Sequence, residues 1–286
     1  MEAGIYVVAT PIGNLDDLSP RARQVLESVD IIAAEDTRET NKLLRMAKIY
    51  DKKLVSYHDH NEGPRSEELV DLIEKDGLSL ALVSDAGTPC ISDPGYRLVA
   101  LARKRGLKVT PIAGPSAAIA LASVSGLPIN RFLFVGFLPS REGQKEKEMR
   151  QWNDSHGSVI FYESPRRLIS TLESIAEVWP NSVLAVGREL TKYHEEVVQG
   201  GIAEILSWAK LKPQILGELV IIITGFVQSD ESKESLRNEI VKMAKLGFLD
   251  GKSQKSLLIE LANMGLDRNA LYALLLEVKE QESKEK

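Results

Sequence analysis

Short apolar runs alternate along the chain with segments whose apolar residues recur every three to four positions. "GIYVVA" (Gly4–Ala9), "IIAAED" (Ile31–Asp36), "KLVSYH" (Lys53–His58), "LSLALVSD" (Leu78–Asp85) and "LKVTPIAG" (Leu107–Gly114) have the length of buried strands. Between them lie amphipathic stretches that predict helices: "LSPRARQVLESVD", "TRETNKLLRMAKI", "GPRSEELVDLIEKDG" and "YRLVALARKRG". Ser19 is placed to cap the first of these, with Pro20 at its first helical position, and Gly77 to close the third. Strand–helix alternation with near-continuous apolar strands predicts a parallel α/β sheet covered on both faces.

A second round begins near Gly114. "PSAAIALASVSG" predicts a helix of small residues. "RFLFVGFLP", "GSVIFYES", "NSVLAVGREL", "EEVVQGG" and "GELVIIITG" predict strands, with helices at "PRRLISTLESIAEVW" and "GIAEILSWAK". More of these connections run strand to strand, so a mixed sheet is expected. From about Asp230 no strand is predicted. Three short helices are expected there, broken at "LGFLDGKS" and "NMGLDR", with a frayed polar tail "KEQESKEK". The expected division is residues 1–115 and 116–229 as two α/β domains and 230–286 as a helical extension.

Composition narrows the class. With 43% hydrophobic and 27% charged residues the chain has an ordinary soluble composition. No apolar run has the length of a membrane span and no signal peptide is evident, so a cytoplasmic protein without membrane association is expected. Cys90 is the only cysteine, which excludes an intramolecular disulfide and a cysteine-based zinc cluster; its expected role is a small packed side chain. The net charge of -5 offers no global attraction to nucleic acid, so an RNA partner must meet a local basic patch.

In an open α/β sheet, ligands bind beyond the carboxyl ends of the strands. Four loops leave strands at that edge with unusual content: "ATPIGNLDD", "AAEDTRET", "SDAGTPCISDPG" and "PIAGPSAA". Proline fixes φ and glycine permits close approach, so these loops predict a stiff floor for a ligand. There is no G-x-G-x-x-G after the first strand and no G-x-x-x-x-G-K-[ST], which removes support for a dinucleotide-binding dehydrogenase or a P-loop enzyme. His58, His60, His156 and His194 form no H-E-x-x-H pair, and no metal site is expected.

"VATPIGNLDDLSPRA", "AAEDTRET", "LVSDAGTPCISDPG", "PIAGPSA", "FVGFLP", "FYESPRR" and "GRELTKYHEE" together, in this order, resemble the tetrapyrrole methylase superfamily of S-adenosylmethionine-dependent enzymes. "SDAGTP" stands where that superfamily usually carries G-D-P, which suits its ribosomal RNA branch. The resemblance implies two α/β domains sharing the cofactor in a cleft. It implies 2'-O-ribose methylation of a decoding-centre cytidine of 16S rRNA, with the rRNA or the 30S subunit as partner, and a homodimer. A porphyrinoid or diphthine-type protein methylase of the same fold is the alternative, and a non-catalytic RNA-binding factor a third.

By the same resemblance, cofactor contacts are expected at Pro11, Asp85, Ala86, Gly87, Thr88, Ser116, Ala117, Tyr162, Glu163, Leu190 and Leu219. Transfer to a ribose oxygen needs a proton acceptor. Glu35, Asp36, Glu189 and Lys192 are the catalytic candidates, with His58, Glu163 and His194 behind them. Arg38, Arg166, Arg167 and Arg188 are expected to hold RNA phosphates or to order carboxylates. In the helical extension Arg237, Lys242, Lys245, Lys252, Lys255 and Arg268 are basic, and Lys252 and Lys255 are expected to contact RNA.

Overall fold

The structure is a computed structural model and describes residues 1–152, 157–226, 230–262, 264 and 268–284. His156 lies outside the described residues, as does the side chain of Arg268. The chain forms two compact units. The first comprises Met1–Ser125 with Val186–Val197 and Gly217–Val220; the second comprises Gly126–Ala185, Val198–Leu216 and Ile221–Lys286.

In the first unit the strands are β1 (Gly4–Val8), β2 (Ile31–Ala34), β3 (Lys53–Ser56), β4 (Ser79–Val83) and β5 (Val109–Ile112). They form one sheet in the order β3-β2-β4-β1-β5, and every pairing is parallel. The helices are α1 (Pro20–Ser28), α2 (Thr37–Met46), α3 (Glu62–Asp76), α4 (Tyr96–Lys104) and α5 (Ala117–Val124). Strand period two sorts the core into layers. Tyr6, Val8, Ile32, Ala34, Ala81 and Val83 pack with Ala22, Val25, Leu26 and Leu44 of α1 and α2. Ile5, Ile31, Ala33, Leu80 and Leu82 pack with Leu69, Val70, Ile73, Leu98 and Ala102 of α3 and α4. Both faces are therefore covered, as the continuous apolar strands predict. Because the strands are parallel, all their carboxyl ends, and the loops that leave them, open on one edge.

Local sequence sets the helix starts. Ser19 Oγ accepts the Ala22 N–H at 3.0 Å with Pro20 beside it. Asp36 does the same for α2 through the Arg38 N–H at 2.8 Å.

The second sheet has β6 (Phe132–Phe137), β7 (Ser158–Glu163), β8 (Val183–Arg188), β9 (Glu196–Gly201) and β10 (Leu219–Thr224), in the order β6-β7-β10-β8-β9. It is mixed, as expected, with β6 and β7 parallel. Its helices include α7 (Leu168–Val178) and α8 (Ile202–Leu211), both predicted, and α6 (Glu142–Met149), which the sequence pattern does not show. The extension holds α9 (Asp230–Leu249), α10 (Gln254–Glu260) and α11 (Arg268–Lys284) around its own core of Ile240, Ala244, Leu257, Leu261, Leu271, Leu274, Leu275 and Val278. Two expectations need correction here. α9 is a 20-residue helix and not a short one, and α11 carries the polar tail as helix to Lys284. No helix among the described residues is long and apolar enough to cross a membrane.

Candidate active site

Backbone hydrogen bonds sew the edge loops of the first sheet together. Thr10, after β1, and Gly87, after β4, exchange N–H···O bonds at 2.8 and 3.1 Å. The Thr10 hydroxyl donates to the Ser84 carbonyl at 3.2 Å, and the Thr88 hydroxyl to the Pro115 carbonyl at 3.0 Å. The Asp36 N–H donates to Asp85 Oδ1 at 3.0 Å, and the Asp85 N–H to Glu35 Oε2 at 3.4 Å. The loops after β1, β2, β4 and β5 thus form one connected rim. It gathers Pro11, Glu35, Asp36, Asp85, Ala86, Gly87, Thr88, Ser116 and Ala117. Glu62, which sequence reasoning gave no role, holds the far end of the β4 loop. Its Oε1 accepts from Tyr57 Oη at 3.1 Å, the Gly95 N–H at 3.0 Å and the Arg97 N–H at 3.2 Å.

The rim is acidic. Burial raises the Glu35 pKa, and the neighbouring Asp85 charge adds to it. Burial likewise raises Asp85. Asp93 is pushed up to about 6, by burial first and then by the charges of Glu35, Asp85 and Asp59, against a hydrogen bond from Ser84. Asp93 was not singled out in the sequence; its only signal is a carboxylate within the stiff "SDPG" turn. Asp36 differs: Arg38 hydrogen bonds hold its carboxyl well below the usual range, with Nη2 to Oδ2 at 2.7 Å. Arg38 itself is exposed. His58 lies on the loop after β3, its Nε2 3.4 Å from Asn61 Nδ2. Among the described residues no group of His, Cys, Asp and Glu is arranged to hold a metal ion. Cys90 is half-buried and its thiol is pushed up to about 11, by burial first, so it remains protonated.

The "GRELTKYHEE" turn belongs to the same unit. Glu189 and Thr191 stand at φ 51° and 66°, uncommon for residues with a Cβ. Hydrogen bonds hold them there: the Lys192 N–H to the Glu189 carbonyl at 3.0 Å and the Thr191 N–H to Glu195 Oε2 at 2.6 Å. Lys192 Nζ lies 2.9 Å from Glu189 Oε1 and 3.2 Å from Glu218 Oε2. Burial lowers the Lys192 pKa, but the hydrogen bond and charge of Glu189 and Glu218 outweigh it and leave it raised. Burial raises Glu189, and Lys192 with the Glu218 N–H outweighs that, leaving it lowered. The pair is therefore an ammonium and a carboxylate. Gly13 of the β1 loop packs directly on this turn: a Cβ there would lie 2.3 Å from Lys192 Cγ. Leu190 and Leu219 are buried. Arg188 Nε bonds Glu196 Oε2 at 3.1 Å and Nη2 bonds the His194 carbonyl at 3.2 Å.

In the second unit Tyr162 and Glu163 end β7. Glu163 is buried, and its carboxylate takes Arg167 Nε at 2.7 Å, the Thr171 hydroxyl at 2.7 Å and the Ser164 N–H at 2.6 Å. Arg167 thus orders a carboxylate, one of the two roles expected of it, while Arg166 is exposed. Lys252 pairs with Glu260 at 2.8 Å, and Lys255 is exposed.

Comparison with known proteins identifies the family. The family model for tetrapyrrole (corrin/porphyrin) methylases matches residues 4–206. A Halalkalibacterium halodurans protein named ribosomal RNA small subunit methyltransferase I is 46% identical over 231 residues, 80% of this chain and 78% of that one. An Escherichia coli O157:H7 protein of the same name is 40% identical over 277 residues, 96% and 94% of the two chains. Among solved structures, the uroporphyrin-III-C-methyltransferase of Thermus thermophilus superposes with a TM-score of 0.55 at 18% identity, over 77% of this chain and 94% of that one. That likeness is one of fold.

Proposed function

Because the chain belongs to the tetrapyrrole methylases, we propose that it transfers a methyl group from S-adenosylmethionine to small-subunit ribosomal RNA, at the 2'-oxygen of a decoding-centre cytidine. The observation that carries the substrate is the 40% identity to an rRNA methyltransferase across 96% of the chain, appendage included. The relationship to the porphyrinoid enzyme is far more distant, at 18% identity.

The rim suits this cofactor chemically. S-adenosylmethionine is a sulfonium with an ammonium and ribose hydroxyls, and it carries no phosphate. Asp85 and Asp93 present acidic groups with raised pKa values, which a cation would relieve. Asp85, Ala86, Gly87 and Thr88, with Pro11, Ser116 and Ala117, would line it along the rim. The cofactor supplies an activated methyl group. The protein supplies alignment and a destination for the hydroxyl proton. Glu35 suits the second task, since a raised carboxylate pKa makes a better proton acceptor. Lys192 is an ammonium and accepts no proton; it suits holding the oxygen nucleophile, and Glu189 positions it. Arg38 and Arg188 stand on the same unit as candidate phosphate contacts.

The test is transfer of labelled methyl from S-adenosylmethionine to 30S subunits, naked 16S rRNA and a porphyrinoid, followed by digestion to nucleosides. Label in 2'-O-methylcytidine is expected. Label in the porphyrinoid alone, or in a base-methylated nucleoside, overturns the reading.

A further inference from the structure

At the carboxyl end of β6 one ring stands on a face that simple alternation would deny it. Phe132 lies opposite Ser158 of β7, and Phe134 opposite Ile160. Strict alternation would set Gly136 opposite Tyr162 and turn Phe137 to the other face. Instead the register shifts between Phe134 and Gly136, and Phe137 stands opposite Tyr162. Gly136 is at φ 67°, the left-handed conformation through which a strand takes in an extra residue. The bulge therefore brings Phe134, Phe137 and Tyr162 onto one face. Tyr162 meets Phe134 edge-on at 5.2 Å between centroids and Phe137 at 5.5 Å.

Phe137 nonetheless remains 59% exposed, on the outermost strand of the sheet. A single exposed ring means little by itself. This one is re-aimed by a bulge, backed by the Tyr162 ring, which packs in turn on Phe134, and accompanied by cations on the same edge. Arg141, at the start of α6, and Arg166, after β7, are both exposed. They follow the ends of the two parallel strands and so share an edge with Phe137. Arg167 is already committed to Glu163 and to the Leu138 carbonyl at 3.1 Å, which ties down the segment after β6.

An open aromatic face with two exposed arginines on the same edge of the sheet fits a single-stranded nucleic acid. The ring takes a base, whatever its identity, and the cations take the flanking phosphates. A chain of net charge -5 has particular use for a contact that does not depend on Coulomb attraction. We propose that Phe137, backed by Tyr162 with Phe134 behind it, is a stacking platform for an unpaired base of the RNA substrate, with Arg141 and Arg166 on the adjoining phosphates. This deepens the reading of the chain as an rRNA methyltransferase and rests on it.

The experiment measures affinity for naked 16S rRNA across a salt series, affinity for S-adenosylmethionine, and methyl transfer. Phe137→Ala should weaken RNA binding about tenfold or more, the scale of one lost stack. The slope against salt should not change, because no phosphate contact is removed. Phe137→Trp should restore binding, whereas Phe137→Leu, which keeps apolar bulk without a π-face, should not. Arg141→Ala and Arg166→Ala should each flatten the salt slope by about one. Unchanged RNA affinity in Phe137→Ala, or full rescue by Leu, overturns the platform. So does a changed mass in light scattering, which would give the ring to a second copy, or lost cofactor affinity, which would give it to the cofactor. Absence of transfer to any RNA by the unsubstituted protein instead removes the underlying reading of function.

Discussion

Asp93 couples the site to stability through one carboxyl group. Its pKa is raised to about 6, burial being the main cause. The folded state therefore holds the proton more tightly than the unfolded chain, so stability is greatest below the ordinary aspartate value of about 4 and declines as pH rises through about 6. Asp93→Asn should remove that decline and stabilise the protein at pH 7 by about 1 kcal/mol after solvent screening is allowed for; urea melts of both proteins at pH 4.5 and 7.5 measure it. Glu163 is buried, and each of its carboxyl oxygens accepts a hydrogen bond. Glu163→Ala strands Arg167 and the Thr171 hydroxyl and should cost about 2–3 kcal/mol in the same assay. Gly13→Ala would set a carbon 2.3 Å from Lys192 Cγ and force that side chain from Glu189. The methyl-transfer rate should fall on the order of tenfold to a hundredfold, as misplacement at an alignment-dependent step does; single-turnover kinetics read it. Glu35, Asp36 and Asp85 were legible in the sequence because they sit at strand ends, whereas Asp93 lies inside a loop. The raised pKa of Asp93 was not, since it depends on which distant carboxylates the fold brings near.

Elements were legible where pattern and cap agreed. α1 shows this: Ser19 and Pro20 announce its start, and Ala22, Val25 and Leu26 give it a buried face. Ser19→Ala should therefore cost about 1 kcal/mol, measured by urea melt. α6 escaped because "EGQKEKEM" offers Met149 as its sole strongly apolar residue; its other buried side chain is Lys145, whose long stem packs while its composition reads as surface. α9 runs longer than its pattern suggests: its polar first half gives no periodic signal, while its second half contributes Ile240 and Ala244 to the core of the extension. The β6 bulge was illegible for another reason. Register belongs to a pair of strands, and neither strand alone states it.

At the scale of the whole molecule, the extension has a core of its own, which makes a cut there informative. Deleting residues 230–286 should leave S-adenosylmethionine affinity intact, weaken RNA binding and flatten its salt dependence. Calorimetry with the cofactor and RNA titration at several salt concentrations check the two halves of that expectation. The first unit has a different kind of wholeness. Its sheet and rim come from the opening stretch of the chain, yet the turn that carries Glu189 and Lys192, and the Glu218 segment that pairs with it, arrive from Val186–Val197 and Gly217–Val220. A ribosome making this protein at about 5–20 residues per second would expose the loops many seconds before the residues that brace Gly13 exist. During synthesis the acidic rim must wait, open and unbraced, for a part of itself that is encoded well over a hundred residues downstream of Gly13. Hence a chain arrested after Ser125 is an unfinished object and not a smaller domain.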